Sequence, residues 1–297
     1  MIICPSCATA GLNAESGRCA NCNWQRLETA GIDDYLTDTD RKNDMFANYT
    51  KTYEGLAQTN IEKSNIDRRF LRNQAKNLVK YLGNVRGFNA CDVGIGQGFL
   101  CDELLRAGVE RISAVDVAIS YLQPLKGESK VKPFLANAEQ LPFEDEFDLI
   151  TSTDVMEHVI NVGSFLYCVN RALRIGGTAA IRVPYREGLL EYSPHRKYGH
   201  SFGHVRSFNK DILRIYMKQA GFEIQSFHLD GFSLGSPHAF LYSSARRKGW
   251  YNKFYNYWNK RLEHPADSTL MNRRFAALFM RPVEIVVIAK KTAQLAQ

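Results

Sequence analysis

The 297-residue chain has no run approaching eighteen uninterrupted apolar residues, so nothing in it reads as a helix that crosses a membrane. Its first residues lack both the basic flank and the apolar stretch of a secretory signal, which makes a cytoplasmic location the expectation. It has no internal repeat and no low-complexity tract, which argues against a solenoid or a linker protein. Only three of the seven cysteines lie beyond Cys22, and they are scattered, so a disulfide scaffold is a poor explanation. What remains is an ordinary globular composition, 45% hydrophobic and 23% charged, long enough for one large α/β domain with small attachments. The formal charge of +7 is modest, and its placement says more than its size.

The other four cysteines form two pairs, Cys4-Pro5-Ser6-Cys7 and Cys19-Ala20-Asn21-Cys22, eleven residues apart. Two such turns present four thiolates tetrahedrally, with Gly17 easing the chain's return, and this spacing predicts a Zn2+ knuckle held by Cys4, Cys7, Cys19 and Cys22. A segment this short has no core without its metal. No fifth ligand or water-activating partner stands nearby, so the zinc is expected to be structural. Residues 1–40 are therefore assigned to the knuckle and the start of a polar connector, Thr37 to Asp44, which shows no apolar periodicity.

Residues 41–86 read as a helical lead-in, because Ile66, Phe70, Leu71, Ala75, Leu78, Val79 and Leu82 recur at three- and four-residue spacing. From Gly87 the pattern changes to short apolar runs, Phe88–Gly94, Ile112–Val117, Phe147–Ser152 and Thr178–Pro184, alternating with helical stretches at Phe99–Ala107, Val162–Leu173 and Asn209–Ala220. That alternation predicts βαβ units and a mostly parallel, Rossmann-like sheet with flanking helices over residues 87–230. Gly108 and Gly221 are the expected helix stops. Phe222–Leu229 and Val283–Ala289 read as two late strands, with residues 231–282 as an insertion and 283–297 as the last strand and tail.

Asp92-Val93-Gly94-Ile95-Gly96-Gln97-Gly98 follows one expected strand and opens an expected helix. There bare backbone can approach a ligand and helix N–H groups point at it. Eighteen residues beyond Gly98, Asp116 ends the next strand with a carboxylate suited to ribose hydroxyls, followed by Val117. Together they imply an adenosine-containing cofactor. A dinucleotide site would want its third glycine one position later, where Phe99 stands.

These motifs resemble those of the class I S-adenosylmethionine-dependent methyltransferases, especially the subgroup with the ubiquinone and menaquinone biosynthetic enzymes. The resemblance covers roughly residues 45–230. The family's first motif matches Asp92 to Gly98, its second-strand acid matches Asp116, and its third motif, usually Asp-Ala-Glu-x-Leu-Pro-Phe, matches Asn137-Ala138-Glu139-Gln140-Leu141-Pro142-Phe143. Phe147 to Ile150 resembles the fourth strand and Thr153 to Val159 the segment after it. The resemblance implies S-adenosylmethionine as cofactor, bound by Asp92, Gly94, Gly96, Gly98, Asp116, Val117, Asn137, Ala138, Asp154 and Val155. Asn137 departs from the usual Asp; its amide oxygen can still accept from the adenine amino group, without the charge.

A bound sulfonium is already electrophilic, so the protein must align an acceptor and, where needed, remove its proton. His195, His200 and His204 fall in one stretch after the fifth strand, and His158 follows the fourth. His200 and His204 are the favoured bases, then His158, with Tyr185, Glu187 and Arg206 as acceptor-positioning candidates. No Asn-Pro-Pro-Tyr follows the fourth strand, which disfavours methylation of exocyclic base amines. Cys168 lies on an expected helix face and reads as a buried structural residue.

Between Ala245 and Pro282, nine Lys and Arg face only Glu263 and Asp267, an excess equal to the charge of the whole chain. Trp250, Tyr251, Phe254, Tyr255, Tyr257 and Trp258 share one side of a helical wheel there. Such a helix suits a lid on the core, peripheral contact with an anionic membrane at its inner face, or stacking on RNA. The resulting expectation is a methyltransferase acting on a small-molecule or glycan acceptor, lipid-linked if the basic helix lies on a membrane. An RNA methyltransferase using knuckle and basic helix, and a non-catalytic cofactor-binding interaction protein, are the alternatives.

Overall fold

A computed structural model of the protein describes residues 1–62, 68–186, 204, 206–230, 282 and 284–295. Nine strands form one sheet: β1 Leu27–Thr29, β2 Ile32–Asp34, β3 Asn89–Val93, β4 Arg111–Asp116, β5 Val131–Leu135, β6 Phe147–Thr153, β7 Leu173–Pro184, β8 Phe222–Asp230 and β9 Glu284–Lys291. Their order is β1-β2-β5-β4-β3-β6-β7-β9-β8. The pairings from β2 to β7 are parallel; β1 on β2, β7 on β9 and β9 on β8 are antiparallel. Strand order reverses beside β3, the switch point at which open α/β sheets bind ligands.

The helices are α1 Asp38–Lys42, α2 Asp44–Glu62, α3 Arg68–Leu82, α4 Phe99–Arg106, α5 Ile119–Leu122, α6 Val162–Ala172 and α7 Lys210–Gln219. Every residue of β3 is buried, as a central parallel strand covered on both faces requires. Alternate strand residues divide between two cores. Cys91, Val115, Ile150, Ile181 and Val287 pack with Phe165 and Val169 of α6 and Met217 of α7. Ala90, Ala114, Leu149, Ala180 and Val286 pack with Leu78 of α3 and Leu104 of α4. Asn161 and Asn209 cap α6 and α7 with their side-chain oxygens, and Gly108 and Gly221 adopt the left-handed conformation expected after α4 and α7.

The sheet extends further than the sequence suggested. β5 carries Pro133, which breaks the apolar pattern, and β1 and β2 are three residues long and largely charged. The cysteine segment packs into the first core, where Cys4, Cys19, Trp24 and Tyr35 join Phe134 and Phe143. Ile3 N donates to Pro142 O at 2.9 Å, and β2 lies parallel on β5 with Asp34 opposite Leu135, covering an edge that would otherwise be open. The expected polar connector is instead α1, started by a capping box between Thr37 and Asp40.

Candidate functional site

At the carboxyl ends of β3, β4, β5 and β6 lies a cavity of about 370 Å3, of the size usual for small-molecule sites. One wall is the strand ends: Val93, Gly94, Val115, Asp116, Val117, Ala136, Asn137, Ala138, Asp154 and Val155. Met45, Phe46, Asn48, Tyr49 and Tyr53 of α2 form the other, and His158, Val159 and Ile160 close the end.

The glycine turn is built by close approach. Gly94 has φ +80°, its N–H donates to Val115 O at 2.8 Å, and a Cβ there would stand 2.2 Å from Val155 Cγ2. Gly96 and Gly98 also have positive φ, and Gly98 starts α4 with no side chain over the helix N-terminus. Asp116 is anchored by N–H donation from Gly96 to Oδ2 at 3.1 Å and from Ala118 to Oδ1 at 2.9 Å. Burial pushes its carboxyl up to about 6 against those hydrogen bonds. Asp92 sits deeper and accepts from Thr151 Oγ1 at 2.7 Å; burial raises it to about 7.

Past β6, Asp154 adopts φ +57° and pairs with Arg182 at 2.7 Å. Arg182 is itself buried, and Glu284 lies 3.7 Å from its Nε. Burial raises the Glu284 carboxyl to about 7, and Gln74 of α3 donates to it. Glu139 also lines the cavity and accepts from Ile160 N at 2.8 Å and Asn161 N at 2.9 Å, fixing the entry to α6. Arg206 donates to the carbonyls of Val159 and Ile160, so its guanidinium is engaged with backbone at the cavity's end. Cys168 is buried with its thiol donating to Glu139 O, consistent with a structural residue.

His158 lines the cavity, its ring centroid 6.3 Å from that of Tyr49 and 4.6 Å from that of His204. His204 Nε2 lies 3.9 Å from Oε1 of the buried Glu157. Glu157, His158 and His204 each place one ligand-type atom within 4.8 Å of the others, a set able to hold a divalent cation. Two of the three histidines favoured from sequence thus meet. His200, with His195, Glu187 and the basic aromatic stretch from Ala245 to Arg281, lies outside the described residues.

Two contributors to the site carry no local sequence pattern. The α2 wall is one, since Tyr49 and Tyr53 stack at 5.7 Å inside a helix of unremarkable pattern. The other is Asp40, whose Oδ1 accepts from Asn137 Nδ2 at 2.8 Å while Asn137 Oδ1 accepts from Glu139 N at 2.9 Å. Asp40 lay in the stretch read from sequence as a polar connector.

Away from the cavity, the sulfur atoms of Cys4, Cys7, Cys19 and Cys22 all lie within 4.8 Å of one another, with Cys4–Cys22 at 3.7 Å and Cys7–Cys19 at 3.6 Å. Tetrahedral zinc with its usual thiolate bonds needs sulfur separations of about 3.8 Å, so the donor set fits that ion.

A family model for a methyltransferase domain matches residues 66–226, more than half of the chain. The ubiquinone biosynthesis O-methyltransferase of Bradyrhizobium sp. (strain ORS 278) is 30% identical over 118 residues, 38% of this chain and 45% of that protein. The same-named protein of Hydrogenovibrio crunogenus is 30% identical over 107 residues, 34% of this chain and 44% of its own length. The chain thus spans under half the length of these curated relatives. Among solved structures, the Burkholderia thailandensis 1,6-didemethyltoxoflavin-N1-methyltransferase, with S-adenosylhomocysteine bound, superposes with a TM-score of 0.54 at 16% identity, over 91% of this chain and 95% of that one. Haemonchus contortus phosphoethanolamine N-methyltransferase 2, in complex with S-adenosyl-L-methionine, gives 0.51 at 15% identity over 86% and 60%. Both share the fold.

Proposed function

Because the chain belongs to the methyltransferase-domain family, we propose that it transfers a methyl group from S-adenosylmethionine to an oxygen of a small-molecule acceptor. The observation that carries this is the cavity at the sheet's switch point, where Gly94, Asp116, Asn137, Asp154 and Val155 converge. Asp116 would accept from the ribose hydroxyls, Asn137 and Ala138 would meet the adenine edge, and Gly94 and Asp154 would flank the methionyl end. Gly96 and Gly98 shape the turn; Asp92 acts from beneath it, through Thr151 and the β3 end. S-adenosylmethionine would supply an activated methyl on a positively charged sulfur.

The chain's own work is then alignment and proton removal. Tyr49, Tyr53 and Phe46 line the cavity and would offer flat apolar surface to an acceptor of modest size. His158 would accept the acceptor's proton, a reading supported by His204 against its ring and the Glu157 carboxyl beside His204. The name of the curated relatives, O-methyltransferase, supports an oxygen acceptor. The four-cysteine centre would hold zinc as a structural ion.

The experiment is incubation of full-length protein and methyl-labelled S-adenosylmethionine with fractionated cell extract. Label is expected in a small-molecule fraction, lost with Asp116→Ala. Label confined to RNA, or transfer unchanged by that substitution, would overturn the proposal.

A further inference from the structure

Asp40 is nearly a hundred residues from Asn137 in sequence, yet the two side chains form a buried pair. Asp40 is fixed from its own side: Oδ2 accepts from Thr37 N and Thr37 Oγ1, both at 2.8 Å, while Asp40 N donates back to Thr37 Oγ1. Its remaining oxygen receives the Asn137 amide N–H. Asn137 is held at both ends, because its own oxygen accepts from Glu139 N. That oxygen has a second lone pair, and Asn137 lines the cavity.

The reason for an amide at position 137 follows. Two carboxylates in this buried contact would repel and could not both stay ionised, whereas an amide donates to Asp40 and still accepts. The acid of this pair stands on α1, in the chain segment that precedes α2. That segment is delivered by the cysteine module: β2 pairs with β5, Tyr35 N donates to Leu135 O at 2.8 Å, and Trp24 stacks on Tyr35 inside the core that holds Cys4 and Cys19. Arg41 of α1 pairs with Asp34 of β2 at 2.6 Å, locking helix to hairpin.

We propose that Asp40 is a positioning residue for cofactor binding, orienting the Asn137 amide toward the adenine edge, and that the N-terminal cysteine module is thereby an integral part of the cofactor site. This rests on the methyltransferase reading of the cavity. It makes cofactor affinity depend on a cluster remote from the cofactor.

The test is calorimetric titration of S-adenosylhomocysteine into full-length protein. Asp40→Ala should weaken binding about ten- to hundredfold, the range for loss of a charged buried hydrogen bond. Asn137→Asp alone should weaken it by about tenfold or more, and the double variant Asp40→Asn with Asn137→Asp, which re-forms the pair with donor and acceptor exchanged, should recover to within about threefold of the parent. The exchange also preserves the Thr37 cap, so it answers for Asp40→Ala should that variant misfold. Equal binding by folded Asp40→Ala, or a double variant no better than the worse single one, overturns the proposal. Should the parent not bind the ligand, the methyltransferase reading fails instead. Amide exchange then still decides the positioning role: Asp40→Ala must speed exchange at residues 137–140 by about tenfold, and unchanged exchange rejects it.

Discussion

The two walls of the cavity are made in different ways. The strand wall is mostly local: Gly94, Asp116 and Val117 follow directly from the ends of β3 and β4, with their polar groups satisfied by nearby backbone, and only Asn137, held by Asp40, and Asp154, paired with Arg182, draw on distant side chains. The helix wall is assembled at long range, with Tyr49 and Tyr53 of α2 placed across the strand ends and Glu54 accepting from Ser120 of α5. Position on the first wall is set by strand register; position on the second depends on everything that anchors α1 and α2. A rigid wall for the common cofactor and an adjustable one for the particular acceptor is the division this suggests.

The largest effect should come from breaking the strand wall. Gly94→Ala puts a methyl into Val155 at a φ that L-residues resist, so it should cost about 2–4 kcal/mol of stability and about a hundredfold in S-adenosylhomocysteine affinity, read by thermal melting and calorimetry. A melting curve close to the parent's would mean the approach of Gly94 to Val155 is loose.

A smaller effect concerns charge beneath that wall. Asp92 and Asp116 are raised to about 7 and about 6 by burial, above the usual carboxylate value near ~4. Carboxyls raised in the fold lend stability that is complete below about pH 4 and is lost as pH rises through the folded values. The ligand-free protein should therefore melt lower at pH 8 than at pH 5, and Asp92→Asn should remove about 2 kcal/mol of that difference. An identical pH dependence in the variant would show that Asp92 titrates normally.

The smallest change is expected on the helix wall. Tyr49→Leu removes a ring stacked on Tyr53 and close to His158, and should raise the acceptor KM about three- to tenfold while leaving cofactor affinity within about twofold. Equal losses for both ligands would erase the distinction between the walls.

The strand wall was legible because glycines and an acid at fixed offsets need no distant partner. Strands β3, β4, β6 and β7 announced themselves as apolar runs, and the four-cysteine spacing was equally local. β5 was hidden by Pro133, and the β1–β2 hairpin by its brevity and charge, so the docking of the cysteine module onto the sheet edge was not visible. Asp40 sat in a stretch that looked like solvated connector; its function depends on Asn137, which no pattern around residue 40 can reveal. Arg206 was expected to face an acceptor and is engaged with the carbonyls of Val159 and Ile160, a role that only spatial proximity exposes.

The most direct measurement is calorimetric titration of S-adenosylmethionine into the full-length protein and into Asp116→Ala. One site with micromolar affinity, weakened about a hundredfold by the substitution, is the predicted result. Absence of binding to the parent, or equal binding by the two proteins, would contradict the assignment of this cavity to the methyl donor.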